Sequence, residues 1–202
     1  NWDLATGTPM YRIRGRTLGI LGFGHIGRTL ASKAESLGVR IIAYDPYIDE
    51  AAVTFPKVEL VGIDDIFSQA DFLSVHTPLI PQTEGLIDEA RLRTMKSNAI
   101  IVNCARGAII DHQALERALR EGWIAAAAAD VFEPEHLDSD HPLFALPNLI
   151  ATPHVAFYSE ESVAELEIKA AENVAAVLSG RRPEAVVNAE VLDLPRWSHL
   201  KY

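Results

Sequence analysis

Residues 17–27, TLGILGFGHIG, contain the pattern that decides the fold. The first five residues are mostly apolar and predict a short buried strand. The motif Gly22-x-Gly24-x-x-Gly27 follows at once, and an amphipathic helix is predicted from there to Gly38. Glycines at this spacing permit a tight turn and let backbone N–H groups approach a pyrophosphate at the N-terminus of a helix. The stretch therefore predicts a dinucleotide-binding turn.

A carboxylate lies where such a turn needs one. The stretch VRIIAY, residues 39–44, predicts the second strand, and Asp45 follows it, 18 residues beyond Gly27. Asp45 can accept hydrogen bonds from the adenosine ribose hydroxyls and would repel a 2′-phosphate, so the pattern favours NAD over NADP. The alternative is a plain strand–turn–helix packing motif, in which Asp45 is a turn residue before Pro46.

The alternation of strands and helices continues along the rest of the chain. Further helices are predicted at 63–69, 89–95, 111–122 and 159–180, and further strands at 71–75, 99–103, 123–130 and 149–151. Because strands that alternate with helices indicate a parallel sheet covered on both faces, we expect an α/β protein with a Rossmann-type, doubly wound sheet. The predicted division is an entry segment at 1–16, the dinucleotide-binding domain at 17–180 and a tail at 181–202.

Composition excludes several classes of function. The chain has 202 residues and a formal net charge of −10, which argues against non-specific binding to nucleic acid or to an anionic membrane. No apolar run approaches the roughly 20 residues of a membrane span. A single cysteine, Cys104, excludes an internal disulfide and favours a reducing, cytoplasmic location. The histidines show no metal-ligand spacing. Because the chain begins at Asn1 rather than Met, we expect its native start to lie further upstream.

Ionisable residues follow three of the predicted strands. Arg106 lies in the apolar run IIVNCARGAII, residues 100–110, where it either pairs with an acid of the protein or binds an incoming anion. Asp130 ends the alanine-rich strand, Glu135 lies five residues later, and His154 follows the strand at 149–151. Ligands of such sheets bind at the carboxyl ends of the strands. Taken singly, each residue has a plainer alternative: a structural ion pair, a solvated acid, or a surface or core histidine.

Together these stretches resemble a known family. RGRTLGILGFGHIG, VNCARGAIID, AAADVFEPE and NLIATPHVAFYS, in this order, resemble the cofactor domain of the D-2-hydroxyacid dehydrogenases, from about residue 12 to residue 188. RIRGRTLGILGFG, AYDPYI and PHVAFYSEES are similar to the C-terminal-binding-protein branch of that family. Two residues depart from the pattern of the family. His136 stands where a proline commonly follows the catalytic glutamate, and Phe157 stands where the corepressors of the C-terminal-binding-protein branch have tryptophan. Both departures are expected to reshape the substrate pocket.

The resemblance implies a role for each matched residue. Arg106 would bind the substrate carboxylate and polarise the 2-oxo group, His154 would be the acid/base, and Glu135 would pair with His154. Asp130 and the backbone at Cys104 would hold the nicotinamide carboxamide. The residues expected at the NAD cofactor are Gly22, Gly24, His25, Ile26, Gly27, Asp45, Thr77, Pro78, Cys104, Ala105 and Asp130, and those expected in the substrate pocket are Arg106 and Phe157.

The resemblance also frames the alternatives. The leading hypothesis is an NAD-dependent oxidoreductase for a small 2-hydroxy or 2-oxo acid, with a second, substrate-closing domain largely outside this chain and with homodimerisation through the cofactor domain. The rival hypothesis is an NAD-sensing, corepressor-like interaction protein with vestigial catalysis. A formate-type dehydrogenase is disfavoured by Glu135, because the formate enzymes carry an amide at that position. We expect Cys104 to be a buried packing residue and not a nucleophile.

Overall fold

Parallel strands form a single sheet in the computed structural model, which describes residues 10–48 and 58–200. Within these residues the strands are β1 (Thr17–Leu21), β2 (Arg40–Tyr44), β3 (Val58–Leu60), β4 (Phe72–Val75), β5 (Ile100–Asn103), β6 (Ala126–Ala129) and β7 (Leu149–Ala151). Their order across the sheet is β3-β2-β1-β4-β5-β6-β7, and all the pairings between them are parallel. This order has the Rossmann topology and confirms the expected fold.

Helices connect most of these strands. They are α1 (His25–Ala34), α2 (Ile63–Gln69), α3 (Glu89–Thr94), α4 (His112–Glu121) and α5 (Glu160–Leu178). Local signals in the sequence set several of their ends. The Asp111 carboxylate accepts hydrogen bonds from two N–H groups in the first turn of α4, and Gly122 ends that helix in the left-handed conformation. The Ser159 hydroxyl accepts a hydrogen bond from the N–H of Ser162 and caps α5.

The sheet is covered on both faces by apolar side chains. On one face, Leu18 and Ile20 of β1 pack in a cluster with Ala31 and Ala34 of α1. On the other face, a larger cluster joins the central strands to α2, α3 and α4; its fully buried members include Leu21, Ile66, Phe67, Leu73, Leu92, Ile101 and Leu115. Successive residues of a strand point to opposite faces, so β1 supplies side chains to both clusters. The packing fixes the strand ends, and these carry the loops of the candidate site.

The two main differences from the expected elements concern strands. The alanine-rich strand begins at Ala126 and not at residue 123, because the Trp123 N–H still bonds to the Ala118 carbonyl and the chain is completing the cap of α4. The three-residue strand β3 was not predicted, since it is too short to show a period. Residues 1–9 of the entry segment and residues 201–202 of the tail lie outside the described residues.

The chain separates into two compact units, with the division after Ala156. The first unit contains the sheet with α1 to α4. The second contains α5, followed by two short 3₁₀ helices at Ala189–Asp193 and Pro195–Trp197. The proposed domain boundary after residue 180 stays a prediction. None of the helices among the described residues combines the length and the apolar character that crossing a membrane requires.

Candidate active site

The glycine turn after β1 lies where the strand order reverses. β1 pairs with β2 on one side and with β4 on the other, so the loops after β1 and β4 meet at this point. Gly22 has φ 95°, and a Cβ there would lie 2.7 Å from the backbone at His76 and Thr77, which follow β4. A Cβ on Gly27 would lie 2.4 Å from the Gly22 carbonyl oxygen. Both positions therefore require glycine.

The third glycine faces open space. A Cβ on Gly24 would meet no atom within 4 Å, and Gly24 is the N-cap of α1 without a side chain that caps the helix. His25 and Ile26 occupy the first turn, where α1 presents backbone N–H groups that lack intrahelical acceptors. An anion is stabilised at such a helix end by these N–H groups and by the helix dipole. The open side of the turn thus has the shape and polarity that a pyrophosphate needs.

Asp45 is held firmly at the end of β2. Its Oδ2 accepts a hydrogen bond from the N–H of Phe23 in the glycine turn at 2.9 Å, and its Oδ1 accepts from the N–H of Tyr47 at 3.0 Å. A carboxylate has further lone pairs to accept bonds from hydroxyl groups. The side chain lines a cavity of about 310 Å³ together with Gly22, Tyr44, Ile63, Thr77, Pro78, Thr83 and Leu86. The cavity has an apolar body and one acidic edge, which suits an adenosine.

A buried hydroxyl links this cavity to its neighbour. Thr77 is only 7% exposed, and its Oγ1 has no hydrogen-bond partner within the described chain. Thr77 and Pro78 line both the cavity beside Asp45 and a second one of about 430 Å³ that contains Ile26, Cys104, Ala105 and Arg106. A buried polar group without a partner is costly and calls for a ligand or a water. The orphaned hydroxyl, the open Gly24 side and the anchored Asp45 all fit a bound NAD.

His76 contributes no positive charge to this region at neutral pH. Burial lowers the pKa of its imidazole, and Nε2 of the ring shares a hydrogen bond of 2.8 Å with the Ser74 hydroxyl. His76 lines the second cavity. Recognition of an anion at the glycine turn therefore depends on backbone N–H groups and the helix end, not on this histidine.

Arg106 is exposed, in spite of its apolar neighbours in the sequence. Ile101 and Ile109 point into the core, whereas Arg106 lies beyond the end of β5, at the carboxyl edge of the sheet. No ion pair joins Arg106 to an acidic side chain in the part of the chain that the structure describes. Its guanidinium donates one hydrogen bond, to the Ala105 carbonyl at 2.6 Å. The geometry disfavours a structural ion pair and leaves the guanidinium suited to an incoming anion.

Glu135 and His154 are in direct contact. Oε1 of Glu135 hydrogen-bonds Nδ1 of His154, and both side chains are a little under half exposed. His154 has φ 54°, an unusual conformation for a residue other than glycine. Its N–H donates to the Asp130 carbonyl at 2.8 Å, so the loop after β7 is tied to the end of β6. The two residues that the sequence placed 19 positions apart thus form one carboxylate–imidazole pair.

The Asp130 carboxylate organises the loop that carries this histidine. It is 4% exposed and accepts hydrogen bonds from the Thr152 hydroxyl and from the N–H groups of Val155 and Ala156. Burial raises the pKa of Asp130, but these three donors outweigh burial and hold the pKa below its usual value. The expected contact of Asp130 with a nicotinamide carboxamide stays a prediction, whereas its contacts within the protein are part of the structure.

The loops of Arg106 and Glu135 are packed against each other. A Cβ on Gly107 would lie 2.0 Å from the carbonyl carbon of Phe132, so the backbone after Arg106 touches the backbone that leads to Glu135. Asn103, at the end of β5, bonds to both residues of the turn before Gly107: it accepts from the Ala105 N–H and donates to the Arg106 carbonyl. Sequence reasoning missed Asn103, although an asparagine at the end of a buried strand is a recognisable turn signal.

Cys104 is exposed, so the expectation of a buried packing residue was wrong. The residue lies one position past the end of β5, and its side chain faces the second cavity instead of the core. Partial burial of its sulfur and the negative charge of Asp130 raise the pKa of the thiol. The thiol is therefore protonated at neutral pH, which argues against a nucleophilic role.

Two residues expected to shape the substrate pocket, His136 and Phe157, belong to different units of the chain. His136 lines a cavity of about 330 Å³ beside the Glu135–His154 pair, with Phe132, Leu137, Phe144 and Pro153 among its other walls. Phe157 is the first residue of the second unit and is 59% exposed, so its place in a substrate pocket stays a prediction. Among the described residues, no group of three or more His, Cys, Asp or Glu side chains is placed to hold a metal ion.

A family model matches this architecture. Residues 1–156 match the model described as D-isomer specific 2-hydroxyacid dehydrogenase, NAD binding domain. The chain belongs to this family. The match covers the unit that contains the glycine turn, Arg106, Glu135 and His154. Membership of the C-terminal-binding-protein branch stays a prediction.

Curated dehydrogenases and a solved structure extend this family relation. The chain is 43% identical over 196 residues to a glyoxylate reductase of Aeropyrum pernix, an alignment that covers 95% of this chain and 58% of that protein. It is 44% identical over 188 residues to a D-3-phosphoglycerate dehydrogenase of Methanocaldococcus jannaschii, with 93% and 36% covered. The NAD-complexed D-isomer specific 2-hydroxyacid dehydrogenase of Lactobacillus delbrueckii ssp. bulgaricus superimposes with a TM-score of 0.83 at 33% identity, covering 93% of this chain and 60% of that structure. The chain thus spans about a third to three fifths of the proteins it matches.

Proposed function

We propose that this 2-hydroxyacid dehydrogenase domain serves an NAD-dependent oxidoreductase that transfers a hydride between the nicotinamide and C2 of a small 2-hydroxy or 2-oxo acid. The observation that carries the proposal is the Glu135–His154 pair at the same edge of the sheet as the exposed Arg106. The relatives named glyoxylate reductase and phosphoglycerate dehydrogenase support this class of substrate. The glycine turn and Asp45 support NAD as the cofactor.

NAD would supply or accept the hydride, and the protein would hold the cofactor in position. The turn at Gly24 would receive the pyrophosphate, and Asp45 would accept hydrogen bonds from the adenosine ribose. The Thr77 hydroxyl, which lines both cavities and has no hydrogen-bond partner within the described chain, would form a hydrogen bond with the cofactor. Residues of the second cavity, which include Cys104 and Ala105, would lie along the nicotinamide half.

Arg106 would bind the substrate carboxylate. A planar guanidinium can form two parallel hydrogen bonds with a carboxylate, which fixes the orientation of the adjoining C2 atom. The same positive charge would polarise a 2-oxo group next to that carboxylate. Because the bond to the Ala105 carbonyl uses a single N–H of the guanidinium, other N–H groups remain to form such a fork.

His154 would move the proton that accompanies the hydride. Since Nδ1 faces Glu135, proton transfer to the substrate oxygen falls to the other ring nitrogen, Nε2. In reduction the imidazolium would donate to the oxygen as C2 becomes an alcohol, and in oxidation the neutral ring would take the proton back. The Glu135 carboxylate would hold the ring orientation and stabilise the positive charge. The amide of a formate-type enzyme could not supply that charge.

We also propose that a second domain closes over the substrate, because the relatives are considerably longer than this chain. Residues 181–202 would return toward that domain, and closure would exclude water from the reacting atoms. By resemblance, the protein would form a homodimer through the cofactor domain and act in the cytoplasm. Light scattering of the full-length protein should give a dimer, and a monomer would contradict that assembly.

Steady-state NADH oxidation by the full-length protein tests the activity. Glyoxylate, hydroxypyruvate, pyruvate, phosphohydroxypyruvate and branched 2-oxo acids form the substrate panel. We expect turnover with at least one of them, and a loss of about 10²–10⁴-fold in His154→Ala, the usual contribution of a positioned acid/base. His199→Ala, in the second unit, is the matched control and should keep its activity. NAD binding without turnover on the whole panel would favour the NAD-sensing, corepressor-like alternative instead.

A further inference from the structure

Asn103 is a buried residue at the carboxyl end of the central strand β5. It is the last residue of the strand and only 1% exposed, and it pairs with Val75 of β4 on one side and Ala129 of β6 on the other. Its backbone carbonyl accepts a hydrogen bond from the Asp130 N–H at 2.9 Å. The main chain of Asn103 is therefore fixed by the centre of the sheet.

The side-chain amide of Asn103 forms hydrogen bonds to the following turn through both its oxygen and its nitrogen. Oδ1 accepts from the Ala105 N–H at 3.0 Å, and Nδ2 donates to the Arg106 carbonyl at 2.9 Å. Arg106 itself is tied back to the same turn, since its guanidinium donates to the Ala105 carbonyl at 2.6 Å. An acceptor and a donor are both required here, and asparagine supplies them at this length, whereas aspartate or leucine does not.

We propose that Asn103 is a positioning residue that sets the direction of the Arg106 guanidinium toward the substrate carboxylate. The main chain of Asn103 is fixed in the strand, and its side-chain amide holds the turn at Ala105 and Arg106 in place. That turn holds the guanidinium of Arg106 through the Ala105 carbonyl. The exposed arginine then starts from one orientation, so that less side-chain freedom is lost when a carboxylate binds. This inference rests on the proposed function, because it assigns a purpose to the arginine that the function requires.

Asn103→Ala in the full-length protein, compared with Asn148→Ala, tests the inference. Asn148 is the matched control, because its amide also joins backbone groups, the carbonyls of Leu119 and Ala125 at 3.1 Å each. We expect Asn103→Ala to raise the KM for the 2-oxo acid about 10-fold or more, by weakening a bidentate, charge-assisted contact. The Kd for NADH should change less than threefold, and Asn148→Ala should leave both constants at their wild-type values. If Asn103→Ala folds poorly, Asn103→Ser, which keeps a small polar side chain, replaces it with the same expectation.

A double-mutant cycle identifies the partner through which Asn103 acts. In an Arg106→Lys background, Asn103→Ala should lower kcat/KM by less than threefold, because the oriented guanidinium is already lost. Full additivity of the two substitutions, or an unchanged KM in an active Asn103→Ala protein, would overturn the inference and leave the proposed function intact. A wild-type protein without turnover on any 2-oxo acid would overturn the proposed function, and this inference with it.

Discussion

Replacing Asp130 with asparagine should destabilise the fold by about 3.5–5 kcal/mol, a value that follows from the hydrogen bonds of its carboxylate. Oδ1 accepts from the Thr152 hydroxyl at 2.5 Å and from the Val155 N–H at 2.9 Å, and Oδ2 accepts from the Ala156 N–H at 2.9 Å. An amide can keep the first two bonds, but its NH₂ group then faces the third donor. Losing one charge-assisted bond costs about 1.5–3 kcal/mol, and making the other two neutral costs about 1 kcal/mol each.

The stability that Asp130→Asn loses should depend on pH, and the lowered pKa of Asp130 fixes the direction of that dependence. The folded protein holds the pKa of Asp130 below its usual value, so the stabilisation is fully present above the ordinary aspartate pKa of about 3.9. It should be lost as the pH falls from there through the lowered pKa, because the unfolded chain then binds the proton first. The difference in stability between wild type and Asp130→Asn should therefore be constant near neutrality and shrink in acid.

Urea unfolding of this chain, followed by circular dichroism at several pH values, measures both quantities. Asp71→Asn is the matched control, because Asp71 is also buried and accepts from Thr17, Arg16 and Lys96 at the opposite end of the strands. The control should lose a comparable stability, but only Asp130→Asn should increase the protease susceptibility of the loop that contains His154. An Asp130→Asn protein whose stability lies within about 1 kcal/mol of wild type, or a stability difference independent of pH, would contradict the role given to the Asp130 carboxylate.

Three further predictions concern the cofactor region. Asp45→Ser, combined with an introduced arginine nearby, should weaken NAD binding about 10-fold and erode the preference over NADP, as measured by calorimetry; equal wild-type affinities for the two cofactors would contradict the role of Asp45. Thr77→Val should leave the melting temperature without cofactor unchanged or higher, yet weaken NAD binding about 2–10-fold, since it removes an unpartnered buried hydroxyl; an unaltered NAD affinity would contradict this. The raised pKa of Cys104 should make its alkylation by iodoacetamide slow at pH 7 and faster at higher pH, and NAD should slow it further; rapid reaction at pH 7 would show that the thiol is ionised.

The fold could be predicted from the sequence because its signals are local. Glycine at positions 22 and 27 is required by close backbone contacts, Asp111 caps α4, and Gly122 ends it. Parallel topology then places every strand's carboxyl end at one edge, so Arg106 and His154 could be assigned to that edge without coordinates. The predicted start of the alanine-rich strand at residue 123 was wrong, because five consecutive alanines show no period and only the cap of α4 decides that the strand begins at Ala126.

Several features of the site could not be predicted, because they depend on directions of side chains. The sequence left open whether Arg106 pairs with an acid of the protein or binds an incoming anion, and only the structure shows that its apolar neighbours are buried while the arginine itself is exposed. The same edge position exposes Cys104. The two bonds of Asn103 and the orphaned hydroxyl of Thr77 become visible only once the turn and the neighbouring strand are placed. Patterns along a chain report periodicity, whereas these contacts require distances.

Transfer of deuterium from reduced cofactor to product is the direct test of hydride transfer at the site of Arg106 and His154. The full-length protein is incubated with NADH that carries deuterium at both C4 positions of the nicotinamide and with the best 2-oxo acid of the panel, and the product is analysed by mass spectrometry and proton NMR. We predict that wild type forms a 2-hydroxy acid with deuterium at C2 and that His154→Ala and Arg106→Lys form much less of it. Retention of both deuterium atoms on the cofactor, with NAD binding intact, would contradict the assignment of hydride transfer to this site.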